Sequence, residues 1–292
     1  MDKYLSETGD HLFSRLSHKE IDLTKHPLFS KEILQMKTVR SIEITGTDFS
    51  DKNTLLHEII ISTLLPDKFE DYIINGQNVG VILFDCELNF PILAFAKFLE
   101  SRITYLLRSN SAYISDFVEV SPIHVSRLKE LCLSRLWLYK ISSVLELHAN
   151  LLATIDFITG MQDTGLILID GISQYLWMDV NLSEQGYTDT QLVNRFISIL
   201  QKIEFSTNLT IMIAGTVDNY GNTKKQGSHI EGQTFKRLNS KSKAWEQYFR
   251  CRIMLEKQGS TQMAYIRVSN NNQSSKVELQ FEISEKGFEI IS

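Results

Sequence analysis

Cysteine is scarce in this sequence: three residues in 292, at Cys86, Cys132 and Cys251. They are far apart, odd in number and form no CxxC pair, so neither a disulfide framework nor a zinc site is expected, and all three read as buried thiols. The seven histidines are equally scattered, with no pair at i, i+4 to hold a metal. No apolar run approaches the ~18 residues of a membrane-spanning helix. The opening MDKYLSETGD has no Arg-led hydrophobic leader, so a soluble, intracellular chain without membrane contacts is expected. Positive charge is not in excess either: 30 Lys and Arg against 35 Asp and Glu give −5, so any nucleic-acid contact must be local. What the chain does have is 43% hydrophobic and 22% charged residues, enough for a substantial core.

Short apolar runs alternate with helical patterns, the order of a mostly parallel sheet covered by helices. SIEIT (41–45), VGVILFD (79–85), RLWLYKI (135–141), GLILID (165–170) and LTIMIAG (209–215) read as strands. Helices are expected over 54–66, ended by Pro66, over about 92–107, over 142–158 behind a serine cap, and near 188–205. From RCRIMLEKQ (250–258) onward the pattern becomes that of antiparallel β, through MAYIRVS, KVELQFEIS and GFEII. The segment 217–243 is polar and lacks periodicity, and no internal repeat is visible.

Between the first strand and the first helix lies GTDFSDKNT (46–54). A Walker A loop reads G-x-x-x-x-G-K-[ST]: glycine amides cradle phosphates, the lysine reaches the β and γ phosphates, and the hydroxyl completes a Mg²⁺ shell. Gly46 and Lys52 fit this pattern. Asp51 stands at the second glycine and Asn53 at the hydroxyl position, with Thr54 displaced by one. A carboxylate ~6 Å from one phosphate charge repels it by roughly 1–3 kcal/mol at an effective dielectric of about 80 down to 20, and Asp48 and Asp51 would both face the polyanion. A Cβ also enters where the backbone needs a glycine conformation. By the residues alone, Lys52 is a solvated lysine at a helix start, and Asp48 or Asp51 an N-terminal helix cap.

Two more carboxylates follow in order. ILID ends in Asp170, as a Walker B strand does to hold Mg²⁺ or its water. VILFD ends in Asp85, and Glu87 follows two residues later. Either residue can equally cap the helix after its strand.

With loop, Glu strand and Asp strand in this order, the chain resembles the RecA-like recombinases of eukaryotes, and among them the short paralogues without an N-terminal helical domain. The resemblance runs nearly end to end. SETGDHLFSRL (6–16) is similar to the opening of such a paralogue, and KISSVLELHANLL (140–152) to its serine-rich strand-to-helix turn. SKAWEQYFRCRIMLEKQ (242–258) resembles the Ala-Trp followed by an Arg-bearing strand, here Ala244, Trp245 and Arg252. ELQFEISEKGFEI (278–290) resembles the closing strand and turn, with Gly287.

The resemblance implies a RecA-like P-loop NTPase core over 39–292, a twisted, mostly parallel sheet with flanking helices and C-terminal antiparallel strands, behind an N-terminal arm over 1–38. Glu87 stands where the family has its water-activating carboxylate, here vestigial, and Gly46, Lys52, Asn53, Thr54 and Asp170 where it binds nucleotide. The family's γ-phosphate-sensing Gln is replaced by Thr216. The resemblance therefore implies no metal and no cofactor of the chain's own; ATP and Mg²⁺ enter only under the alternative of a weak DNA-stimulated ATPase. Implied partners are another recombinase paralogue, a SWIM-type protein, the recombinase itself, and single-stranded DNA through the complex, in the nucleus, for homologous-recombination repair. The arm's Leu12, Phe13 and Leu16 form an apolar edge suited to docking. The family's loop after the fifth strand tracks single-stranded DNA, and here Lys224, Lys225, Lys236, Arg237, Lys241 and Lys243 stand against Glu231 alone, a local +5. Trp245 and Tyr175 read as base-stacking, core or interface residues, the last two being the commoner fate of single aromatics.

Overall fold

The computed structural model describes residues 8–9, 19–29, 39–46, 51–109, 121–159, 163–172, 189–216, 243–269 and 274–291. Strand β1 (Ser41–Gly46) leads to helix α1 (Lys52–Leu64), and a small hairpin, β2 (Lys68–Phe69) and β3 (Tyr72–Ile73), leads to β4 (Gly80–Asp85). Then come α2 (Ile92–Ser109), α3 (Pro122–Leu133), β5 (Leu136–Lys140), α4 (Val144–Thr159), β6 (Thr164–Asp170), α5 (Asp189–Ser206) and β7 (Thr210–Thr216). The chain closes with α6 (Lys243–Tyr248), β8 (Cys251–Gln258), β9 (Thr261–Ser269), β10 (Ser274–Ser284) and β11 (Gly287–Ile290).

Among the described residues, nine strands form one sheet in the order β11-β10-β9-β8-β1-β7-β6-β4-β5. The six from β8 to β5 are parallel, and β9, β10 and β11 add on antiparallel. The protein is thus an α/β fold with a mostly parallel sheet and antiparallel C-terminal strands. The antiparallel pairing expected from residue 250 onward holds between β8 and β9, while on its other side β8 pairs β1 in parallel. The direction follows from the route, since β8 re-enters the sheet beside β1 after α6 rather than through a hairpin.

The unbroken apolar runs follow from burial on both faces. Val81, Leu83, Leu166, Leu168, Met212 and Ala214 point into a cluster with α1, α2 and α3. Their neighbours Ile82, Phe84, Ile167, Ile169, Ile211 and Ile213 point into a second, with α4, α5 and α6. An aromatic stack joins that second layer, Phe196 lying 6.0 Å from both His148 and Trp245. The serine cap of α4 is a reciprocal box: Ser143 Oγ accepts the Glu146 N–H at 3.2 Å, and Ser142 donates N–H and O–H to Glu146 Oε2 at 2.8 and 2.6 Å.

A polar knot sits within this core. Glu43, in the middle of β1, lies opposite Arg252 of β8 in the parallel register. Its Oε2 accepts from Arg252 Nε at 3.0 Å and its Oε1 from Trp245 Nε1 at 3.0 Å. All three side chains are buried. Trp245 is therefore a core residue tying α6 to the sheet.

Candidate functional site

The helices next in the chain after β1 and its neighbour β7 lie on opposite faces of the sheet, α1 in one layer and α6 in the other. A crevice forms outside the carboxyl ends of strands where connections part in this way. The strand ends are in register there: Gly46 beside Thr216, Ala214 beside Asp170, Asp170 beside Asp85, and Asp85 beside Lys140.

Lys52 is the first residue of α1, and its side chain turns into this crevice. Its Nζ donates to Asp170 Oδ1 at 2.8 Å, with the two side chains 5% and 14% exposed. This corrects the reading of Lys52 as a solvated helix-start lysine: helix geometry aims the first side chain back over the preceding loop, where Asp170 draws it in. Asp51 precedes α1 at the N-cap position, but its carboxylate makes no capping hydrogen bond, so the cap role expected of it is also corrected. Asn53 is exposed and Thr54 half-buried on the first turn. Thr216 ends β7 directly across from Gly46.

Asp85 has a local role. Its Oδ1 accepts the Asn89 N–H at 3.2 Å and its Oδ2 the Phe90 N–H at 2.9 Å, which closes the turn after β4. Glu87 is half-buried and accepts from Asn89 Nδ2 at 3.1 Å. Its side chain lies over Gly171, which follows Asp170 at φ +80°, and a Cβ added there would stand 2.2 Å from Glu87 Cγ. Glycine at that position lets the two carboxylate-bearing strand ends approach. Gly46, Lys52, Asp170 and Glu87 thus gather at one edge of the sheet.

His57 at this edge was not singled out from the sequence, whereas Cys86 is the buried thiol expected of it. His57, in α1, packs edge-on against Phe90 and Phe95, each 5.4 Å away. Burial lowers its pKa, with nearby Asp170 pulling the other way. Cys86 sits beneath the crevice, and burial reinforced by Asp170, Asp85, Glu87 and Glu146 raises its thiol pKa far above the ordinary range, so it stays an inert thiol. Cys132 and Cys251 are likewise buried and free. A histidine facing an apolar pair leaves no mark in local spacing.

Among the described residues no group of three or more His, Cys, Asp or Glu side chains is arranged to hold a metal ion, and no helix is long and apolar enough to cross a membrane. The arm residues Leu12, Phe13 and Leu16, the loop residue Asp48, Tyr175, and the basic residues Lys224, Lys225, Lys236, Arg237 and Lys241 lie outside the described residues. Lys243 opens α6 and is exposed. A cavity of about 560 Å³ lies at the opposite, amino-terminal end of β1, lined by Arg40, Ser41, Gln201, Glu204, Tyr248 and Arg250 among others.

In comparisons with protein-family models and with curated proteins, nothing matches the chain.

Proposed function

We propose that the chain is a RecA-like core serving as a non-catalytic subunit of a recombinase-paralogue complex, which assists recombinase loading on single-stranded DNA in homologous-recombination repair. The observation that carries this reading is the Lys52–Asp170 pair at 2.8 Å. It joins the first residue of α1 to the end of β6 beside one switch point, as a RecA-like core would require. It also commits that lysine to a carboxylate, directly after Asp51, which stands where the motif has its second glycine. The role is then to dock.

Docking is favoured by the outer edge of the sheet. Among the described strands β5 has a neighbour on one side alone, and such an edge offers backbone groups for pairing. Alongside it, α4 exposes Leu145, Ala149, Leu152 and Ala153, an apolar stripe at i, i+4, i+7 and i+8.

Thermal unfolding with and without Mg-ATP tests the reading. Tight binding at a thousandfold excess over Kd adds ~4 kcal/mol, so the expected outcome is little or no shift. A rise of several degrees that disappears in Lys52→Ala would instead establish the second reading, a weak DNA-stimulated ATPase. That reading is favoured by the same proximity of Lys52 and Asp170, with Thr54 supplying the displaced hydroxyl and Glu87 the base.

A further inference from the structure

At the carboxyl edge, beside Glu87, three large apolar side chains stand in solvent. Leu93 is 79% exposed, Leu88 49% and Ile92 41%, and Pro91 and Ala94 are exposed with them. Scattered single leucines on a surface are ordinary, but a contiguous group marks a contact site.

The turn that carries them is tied down by hydrogen bonds and ring contacts. Both Asp85 oxygens accept backbone N–H groups from it, and Asn89 ties it to Glu87. Phe90 and Phe95 point inward, their rings 5.4 Å apart and each against His57. Leu88 is held at φ +57°, a backbone conformation that disfavours any side chain. The inward rings anchor the turn and the outward aliphatic side chains stay uncovered. A surface ordered before binding loses less freedom on binding.

Charge states what the partner must carry. Asp85, Glu87, Glu146 and Asp170 lie near enough to the Cys86 thiol to add to burial in raising its pKa. Lys52 answers Asp170, and Lys140 lies at the strand end beside Asp85. Among the described residues, Glu87 on the patch side of this edge is half-buried, with the Asn89 amide as its hydrogen-bond partner and no cation paired to it. Lys97 is exposed a full turn beyond Leu93 along α2, away from Glu87.

We propose that this patch seats a segment of a partner protein in which an arginine or lysine is flanked by aliphatic side chains, the aliphatic groups covering Leu88, Ile92 and Leu93 and the cation reaching Glu87. The inference deepens the docking role and rests on it in requiring a protein partner. It adds a further docking face besides the β5–α4 edge and the chemistry of the segment received.

The test places p-benzoylphenylalanine, a photo-crosslinking residue that keeps the site apolar, at position 93 of the full chain in its own cells, with a second copy of the experiment at the remote, 74% exposed Ile123 as control. Crosslinked peptides are sequenced, and thermal unfolding verifies that each variant folds. The expected crosslink at 93 is to a segment bearing Arg or Lys among aliphatic residues. Its yield should fall about tenfold with Leu88→Asn and Ile92→Asn together and severalfold with Glu87→Gln, with no change at 123. No protein crosslink at 93, a crosslink to an acidic or uncharged segment, a crosslink to a second copy of this chain, or a yield indifferent to Glu87→Gln would each overturn the proposal. If no crosslink forms at 93 while a recombinase paralogue still co-purifies, the patch falls while the docking role stands. Mg-ATP binding together with the expected crosslink would remove the non-catalytic role and leave the patch.

Discussion

Lys52 and Asp170, 118 residues apart in the chain, meet at 2.8 Å in a crevice where the lysine is almost sealed from water and the aspartate less so. The asymmetry in burial predicts an asymmetry in cost. Removing one member of a buried pair strands the other, at about 3–5 kcal/mol when fully buried. Asp170→Asn strands the more deeply buried charge and should cost roughly 3 kcal/mol, while Lys52→Met leaves a partly hydrated carboxylate and should cost less than half of that by the same reasoning. The double variant should be more stable than the sum of the single changes implies. Urea unfolding of the four proteins measures this, and equal, additive costs would deny the pair.

Glu43 and Arg252 present the same physics in a drier place. Both are nearly inaccessible, and Glu43 also receives the Trp245 indole N–H. Arg252→Met should therefore destabilise by about 3–5 kcal/mol, because Glu43 is left charged in the core. Replacing both, with Glu43→Met, should recover much of that loss. The urea midpoint should move while the slope m is retained, since the surface exposed on unfolding is nearly unchanged.

These pairs show where the sequence is legible. The strands β1, β4, β6 and β7 stand out because burial on both faces leaves uninterrupted apolar runs, and the sheet class follows from their alternation with helices. The start of α1 is less visible: Lys52 and Asn53 carry no apolar signal, so the helix begins two residues before the expected Thr54. Helix α3 was not anticipated, although its buried Val125, Leu128 and Cys132 recur at i, i+3 and i+7. The parallel pairing of β8 with β1 is set by a crossover, which no local pattern encodes. The edge that gathers Gly46, Lys52, Glu87 and Asp170 was readable from motif order. The ion pair within it was not, because burial of a lysine depends on a partner brought by a distant strand.

Acid should weaken the protein through His26. This ring is buried in contact with Phe29 and Phe288, and burial, aided by the Arg102 charge, lowers its pKa to about 3. In the unfolded chain it titrates near 6.5. Below that value the unfolded state binds a proton that the folded state refuses, so the contribution is complete above pH ~6.5 and is lost as pH falls toward about 3. The slope is on the order of 1.4 kcal/mol per pH unit, or roughly 2 kcal/mol between pH 6.5 and 5. His26→Asn keeps an acceptor for the Leu28 N–H, which His26 Nδ1 receives at 3.3 Å. Its stability curve over that interval should be flatter by this amount, as read by urea unfolding at each pH, and parallel curves would acquit His26. His148, whose pKa is lowered to about 4 by burial and then by Arg195, acts in the same direction and is common to both proteins.

The basic segment completes the functional reading. Lys224, Lys225, Lys236 and Arg237 belong to a local excess of +5 in a chain of −5 overall. If they contact phosphate, changing all four to Ala should weaken single-strand binding by the assembled complex to a similar degree for every sequence, because phosphate contacts carry no base information. Each lost contact should flatten the dependence of log K on log salt by about 0.7. Folding stability, followed in parallel by urea unfolding, should change by no more than ~0.5 kcal/mol. Binding titrations at several salt concentrations separate the outcomes. A reduced salt slope at constant stability assigns the segment to DNA. An unchanged slope and affinity assign its charges to solubility, leave the strand to the partner subunits, and make docking the whole of this chain's contribution.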